Sequence, residues 1–395
     1  MHNTMKRFLL AAAVVAAAAC TATKQEPSLK EAFKDNFTIG AAINEWQIRG
    51  LDTIGVQTLT KHFNSIVAEN CMKHEEIHPA EGVWNFELAD KFVEFGVQNN
   101  MEIIGHCLVW HSQTAPWYFF DDKGQLVTPE VLKARIKDHI TTIMTRYKGK
   151  IHGYDVVNEA IVEDGSYRKS LFYQILGEEF IPFAFECARE ADPDAELYLN
   201  DYGMNVPGRR DTYVKIIKDL QARGLRIDAI GMQGHMGMDY PTVEEFEESL
   251  LAFAGTGIKV MITEWDMSAL PTVNMGANVS DTEEYQAKLN PYPDGLPEEP
   301  AAIWNGRMKD FMDLFIKHSD KVQRVTAWGI SDRDSWKNNW PVRGRTEYPL
   351  LFDRDHNPKP FLNEYLTKES PTFYVALLCY IERSDSKSLS RGRER

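Results

Sequence analysis

Eight short apolar runs recur along this chain, each separated from the next by a segment with helical periodicity, and that alternation limits the fold more than any other feature. The runs are 37–44 (FTIGAAIN), 65–70 (SIVAEN), 102–110 (EIIGHCLVW), 151–159 (IHGYDVVNE), 196–201 (ELYLND), 227–235 (IDAIGMQGH), 258–266 (IKVMITEWD) and 322–332 (VQRVTAWGISD). Between them, 129–148 keeps Leu132, Ile136, Ile140, Ile143 and Tyr147 on one face, with Thr128 as cap and Pro129 at the first helical position. Thr242 and Glu245 read as a capping box ahead of Phe246, Leu250 and Leu251. The segment 210–223 carries Tyr213, Val214, Ile217 and Leu220, and Gly224 stops it. Eight strand–helix units without a linker predict an α/β protein, a (β/α)8 TIM barrel forming a single catalytic domain over 37–368. The runner-up, an open doubly wound sheet, calls for a glycine-rich phosphate loop after the first strand, and none follows.

The ends of the chain stand apart from this rhythm. Lys6 and Arg7 precede an unbroken apolar run over 8–19, too short to span a bilayer, and Cys20 follows at once. Residues 1–19 are expected to be an export signal. Cys20 resembles the lipidated first residue of a bacterial lipoprotein, although Ala17 stands where Leu is usual, and plain secretion is the alternative. Residues 20–36 then form a tether, and the protein belongs in the bacterial cell envelope, on its periplasmic or outer side. The run 268–300 is Pro-rich and is expected to loop over the active face. Residues 369–395 are expected to be a disordered extension of unknown role.

A formal charge of −14 and a pI near 5.3 exclude a nucleic-acid partner, which would need a basic excess. Cys71, Cys107, Cys187 and Cys379 have spacings that suit neither a disulfide framework nor a zinc site. They read as small buried residues, with a Cys71–Cys107 bridge left open for an exported chain.

Chemistry gathers at the carboxyl ends of the runs. The second ends in Glu69 and Asn70 with Lys73 beyond, and the third supplies His106, Trp110, His111 and Gln113. The fourth gives Asn158 and Glu159, the sixth Gln233 and His235, and the seventh Glu264 and Asp266. The eighth gives Trp328, with Trp336 in the following loop. Alternation sets His106 with Trp110, Gln233 with His235 and Glu264 with Asp266 on shared faces. Adjacent Asn158 and Glu159 can face one pocket only if the strand finishes at Asn158 and the chain twists there. Two glutamates on strands four and seven point to acid–base or nucleophilic work on a glycosidic bond.

The blocks D-V-V-N-E-A (155–160), I-T-E-W-D (262–266), G-H-C-L-V-W-H-S-Q-T (105–114), E-N-x-M-K (69–73) and W-G-x-S-D-x-D-S-W (328–336) resemble the signature of glycoside hydrolase family 10, the β-1,4-xylanases. The resemblance runs in order from about residue 37 to 365. It implies retaining endo-hydrolysis of xylan, with Glu159 as general acid/base and Glu264 as nucleophile. It implies that His235 orients Glu264, with Gln233 in the support around the nucleophile, and that Asn158 contacts the 2-hydroxyl beside the scissile bond. Glu69, Asn70, Lys73, His106, Trp110 and Gln113 would line the glycone subsites. Tyr202 joins the substrate-binding set, and Trp328 and Trp336 would exclude a hexose hydroxymethyl. Tyr154, where many members carry Trp, and Gly203, where Asn is common, depart from the pattern on the aglycone side.

No metal or cofactor is expected, and the expected partners are xylan and xylo-oligosaccharides, with the membrane only through the N-terminal lipid anchor; the chain is expected to be a monomer. Three other readings compete. A metal-dependent barrel hydrolase would use these histidines with Asp201 or Asp266, but it lacks the H-x-H pair on the first strand. A non-catalytic glycan-binding lipoprotein would have no need of both glutamates and His235. The same chemistry on cellulose or a mixed-linkage glucan conflicts in shape with Trp328 and Trp336.

Overall fold

The computed structural model describes residues 27–271 and 287–367. Eight parallel strands close into a barrel: β1 (Thr38–Ile43), β2 (Ser65–Ala68), β3 (Glu102–Gly105), β4 (Gly153–Asn158), β5 (Glu196–Asp201), β6 (Ala229–Met232), β7 (Lys259–Met267) and β8 (Val322–Ala327). Each pairs with the next, and β8 returns to β1 with Thr38 opposite Arg324 and Ala41 opposite Ala327. Helices α1 (Thr53–His62), α2 (Glu87–Gln98), α3 (Pro129–Arg146), α4 (Phe180–Ala191), α5 (Pro207–Ala222), α6 (Val243–Ala254), α7 (Glu298–Lys317) and the short α8 (Asn363–Thr367) follow the strands in turn. This is the expected (β/α)8 barrel.

Local chemistry sets the helix ends. Thr128 caps α3 through Val131 N, and Thr242 with Glu245 forms both bonds of a capping box on α6. Helix α5 begins a turn before the expected start, because Pro207 takes its first position. Gly224, at φ +71, follows it. Residues 28–36, assigned to a tether by sequence, fold into the body of the protein. The helical turn Leu29–Ala32 packs on α1 and α8, and Leu29 and Phe33 are 0% and 1% exposed. The expected tether therefore loses its second half to the hydrophobic core.

The barrel interior is filled by Ala42, Val67, Ile104, Tyr198, Ala229, Met261 and Trp328, from six strands and the loop after β8. Glycines make room for the tyrosines of the next strand: a Cβ on Gly105 would lie 2.2 Å from the Tyr154 ring, and one on Gly153 would lie 2.2 Å from the Tyr198 hydroxyl. The three cysteines among the described residues, Cys71, Cys107 and Cys187, are free and buried, so the Cys71–Cys107 bridge does not form. Burial raises their thiols, Cys71 to about 12 and Cys187 to about 11. Cys20 and the export signal, the tail 369–395 and residues 272–286 of the Pro-rich excursion lie outside the described residues.

Candidate active site

The strand ends deliver their polar residues to one face of the barrel. Strand β4 stops at Asn158, and Glu159 turns out of it at φ +57, a conformation that costs a non-glycine residue energy. Its N–H is held by the Asn200 carbonyl at 2.9 Å, which keeps the twist in place. Adjacent Asn158 and Glu159 thereby reach the same pocket.

Glu264, inside β7, is 5% exposed and Glu159 is 8% exposed. Glu264 Oε1 accepts from the Asn200 amide at 2.8 Å, and Oε2 meets His235 Nε2 at 3.1 Å. The other imidazole nitrogen of His235 lies 3.0 Å from Asp266 Oδ1, and Asp266 in turn accepts from the Trp336 indole at 2.9 Å, with Lys337 Nζ at 3.5 Å. Burial opposes charge on His235, but the Asp266 and Glu264 carboxylates outweigh it and raise its pKa to about 9. Burial also pushes Glu264 up, yet the bond from His235, the nearby histidine charges and Asn200 leave its carboxyl below the ordinary glutamate value.

Glu159 is set the other way. Burial raises its carboxyl, and the negative charge of Glu264 adds to that. Bonds from the Trp110 indole and from Gln233 Nε2, at 3.1 Å to Oε1, only partly offset the rise. Of two buried carboxyls at one strand-end face, one is held ionised and the other is biased toward its proton, the division of labour that an acid and a nucleophile require.

Three amides link the pair. Asn200 donates to both Glu264 and Asn158, and Gln233 donates to Glu159 and, at 3.3 Å, to Asn158. The Asn158 amide keeps Oδ1 toward these two donors, since the reverse rotation would set its NH2 against that of Asn200. Gln233, expected beside the nucleophile, supports it only through its backbone carbonyl, which takes the Glu264 N–H at 2.7 Å. Its side chain turns to Glu159, because Gly234 at φ +81 breaks the strand between Gln233 and His235.

The other expected residues surround this centre. Lys73 Nζ binds Asn70 at 3.0 Å and Gln113 at 2.9 Å, and stands 5.1 Å from the Trp110 ring centre. Glu69 bonds Asn70 at 3.3 Å, and burial raises its carboxyl. His106 pairs with buried Asp155 at 2.9 Å and sets its ring edge-on to Trp328, 5.3 Å between centres. Trp336 packs 5.3 Å from His235 and against the interior cluster that contains Trp328. Tyr202 accepts from Arg168 at 3.0 Å, and Arg168 also binds the Glu159 carbonyl at 2.9 Å. Asn200, Arg168 and Asp155 had no role in the sequence reading, and Asp266 entered it only as the strand-end neighbour of Glu264 and in the competing metal reading. Asn200, next to last in β5, lies in register beside Asn158 at the end of β4, and that equivalence was visible in the two runs.

The family model of glycosyl hydrolase family 10 matches residues 28–368. The chain belongs to glycosyl hydrolase family 10. An endo-1,4-beta-xylanase A of Xylanibacter ruminicola is 46% identical over 345 residues, covering 87% of this chain and 94% of that relative. An endo-1,4-beta-xylanase of Geobacillus stearothermophilus is 38% identical over 341 residues, 85% of this chain and 96% of its own. Among solved family 10 structures, an endoxylanase retrieved from a sugarcane soil metagenome superposes with a TM-score of 0.82 at 42% identity, covering 86% of this chain and 99% of that one. The family 10 match begins at residue 28, where the first buried residues of the fold begin.

Proposed function

We propose that this family 10 enzyme hydrolyses internal β-1,4-xylosidic bonds of xylan with retention of configuration. Glu264 attacks the anomeric carbon and forms a glycosyl-enzyme while Glu159 protonates the departing oxygen. Glu159, now a base, then takes a proton from the water that releases the sugar. The observation that carries this reading is the opposite bias of the two buried carboxyls, lowered at Glu264 by its donors and raised at Glu159 by burial. His235, clamped between Glu264 and Asp266, is a positioning residue for the nucleophile. Asn158, next to Glu159 and joined to Glu264 through Asn200, would bind the 2-hydroxyl of the sugar under attack. Glu69, Asn70, Lys73, His106, Trp110 and Gln113 would hold the glycone, and Tyr202 would contact the aglycone side. The related xylanases support xylan over glucans, and Trp328 with Trp336 would crowd a hydroxymethyl group.

The N-terminal reading accompanies this one. Residues 1–19 would be removed on export, Cys20 lipidated, and residues 21–27 left as the tether of a monomeric envelope enzyme, with the tail after residue 368 outside the barrel. Two measurements test the proposal. Soluble xylan should yield a falling ladder of oligosaccharides with new reducing ends, and carboxymethyl cellulose should yield few. Absence of xylan cleavage between pH 5 and 8 would refute the enzyme, and equal rates on the two polymers would refute the specificity. Detergent partitioning of the expressed protein tests the anchor, and a Cys20→Ser chain that still partitions into detergent would remove it.

A further inference from the structure

A second group of titratable side chains lies away from the carboxylate pair. His74, His78 and His139 bring one ring nitrogen each to within 4.8 Å of one another. The three are 5%, 1% and 0% exposed, and the Nε2 atom of each lacks a hydrogen-bond partner in the protein. His78 Nδ1 stands 3.2 Å from His139 Nδ1. Trp84 stacks on His78 at 3.6 Å, Trp117 meets its edge, and Tyr118 packs 4.2 Å from His74 with its own buried hydroxyl unpartnered. Burial lowers His74 to about 3 and His78 to about 4, and holds His139 well below the ordinary imidazole value.

The sequence 74–78 reads H-E-E-I-H, two histidines four apart, the spacing that presents two imidazoles on one side of a helical turn. We infer that His74, His78 and His139 form a structural binding site for one divalent transition-metal ion of the zinc class. A tetrahedral ion with zinc–nitrogen bonds of about 2.05 Å separates its ligands by roughly 3.3 Å, close to the distance between His78 and His139, whose mutual hydrogen bond the ion would replace. Donors that are all imidazole select zinc, copper or nickel over magnesium or calcium. The carboxylates of Asp138 and Glu81 lie near enough to His78 to favour a positive charge there. His74 Nδ1 accepts the Ala115 N–H at 3.2 Å, which leaves its unpartnered Nε2 as the free donor atom. The site is not catalytic. Glu75, where an H-E-x-x-H hydrolase keeps its base, faces the exposed side and accepts from Gln113 at 3.2 Å. The bound ion instead ties the loop after β2, which carries Lys73, to α3.

The test uses the full chain, stripped with a chelator, dialysed and titrated with cobalt(II) and then zinc. One equivalent of cobalt should give the visible absorption of a tetrahedral nitrogen site, and one equivalent of zinc should bleach it and raise the melting temperature by several degrees. Absence of the band in the wild-type chain overturns the inference. His139→Gln should lose the band. Glu264→Gln, which removes one carboxylate of the rival Glu264–His235 pair in the cleft, should keep it. A band that survives His139→Gln, or one that vanishes in Glu264→Gln, would place the metal elsewhere and overturn the site.

Discussion

The side-chain amide of Asn200 donates to Glu264 Oε1 across 2.8 Å, and it cannot turn away, because the Thr263 hydroxyl donates to the other end of the same amide. One neutral residue on β5 thus holds the carboxylate on β7 while touching Asn158 on β4. Removing it leaves a buried anion short of a donor, a loss of roughly 1.5–3 kcal/mol. Asn200→Ala is expected to lower kcat on xylan by about 10- to 100-fold with a smaller effect on KM. Steady-state kinetics on a variant shown to melt normally checks this, and a kcat within twofold of wild type would take Asn200 out of the mechanism.

Glu159 should matter in proportion to the leaving group. Glu159→Ala is expected to lose about 10²- to 10⁴-fold on xylan, where the departing sugar needs a proton. Aryl xylobiosides with acidic phenols should retain most of their first-step rate. Comparing kcat/KM across a series of phenols would show a steep dependence in the variant and a shallow one in the wild type. Equal losses for every leaving group would contradict the acid role.

The opposed shifts of the two carboxyls predict a bell-shaped pH profile. Glu264 must be ionised, so the acid limb falls as pH drops through its lowered value. Glu159 must carry its proton, so the basic limb falls as pH rises through its raised value. In Glu159→Ala, assayed on an activated aryl substrate, the basic limb should disappear while the acid limb stays.

His235 predicts a pH dependence of stability as well. Its folded value of about 9 lies above the ordinary 6.5, so the folded chain binds the extra proton. The stabilisation is fully present below pH 6.5 and fades as pH rises through about 9, on the order of 3 kcal/mol in all. His235→Gln should flatten the melting temperature between pH 6.5 and 9. An unchanged slope there would assign the effect to other groups.

Packing gives a test away from the chemistry. Gly153→Ala would set a methyl group 2.2 Å from the hydroxyl of Tyr198, which fills the barrel interior and donates to Glu196. Overpacking of this kind costs about 1–3 kcal/mol and should be read as a lower denaturation midpoint. Tyr198→Phe in the same chain should recover part of the loss.

Much of the site was legible because strand ends converge in a closed barrel, so residues far apart in sequence meet without knowledge of packing. The alternation argument was weaker. Residues 102–110 do not form one strand: β3 ends at Gly105 and only Val109–Trp110 resumes pairing, against β4. His106 and Trp110 therefore share a pocket through an irregular loop and not through pleating. The pair Gln233 and His235 is split by Gly234 and serves two different carboxylates. Glu264 and Asp266 do lie in one strand, and His235 bridges them. The turn at Leu29 was missed because four helical residues carry no periodic signal, and their burial depends on α1 and α8.

The most direct measurement of the central claim is the identity of the residue that bonds to the sugar. Treating the chain with a 2-fluoro xylobioside bearing an activated leaving group, digesting it and sequencing the labelled peptide by mass spectrometry should place one fluoroxylobiosyl group on Glu264, in the segment 259–267. A label on Glu159, or hydrolysis that releases the α-anomer first with no adduct, would contradict the account.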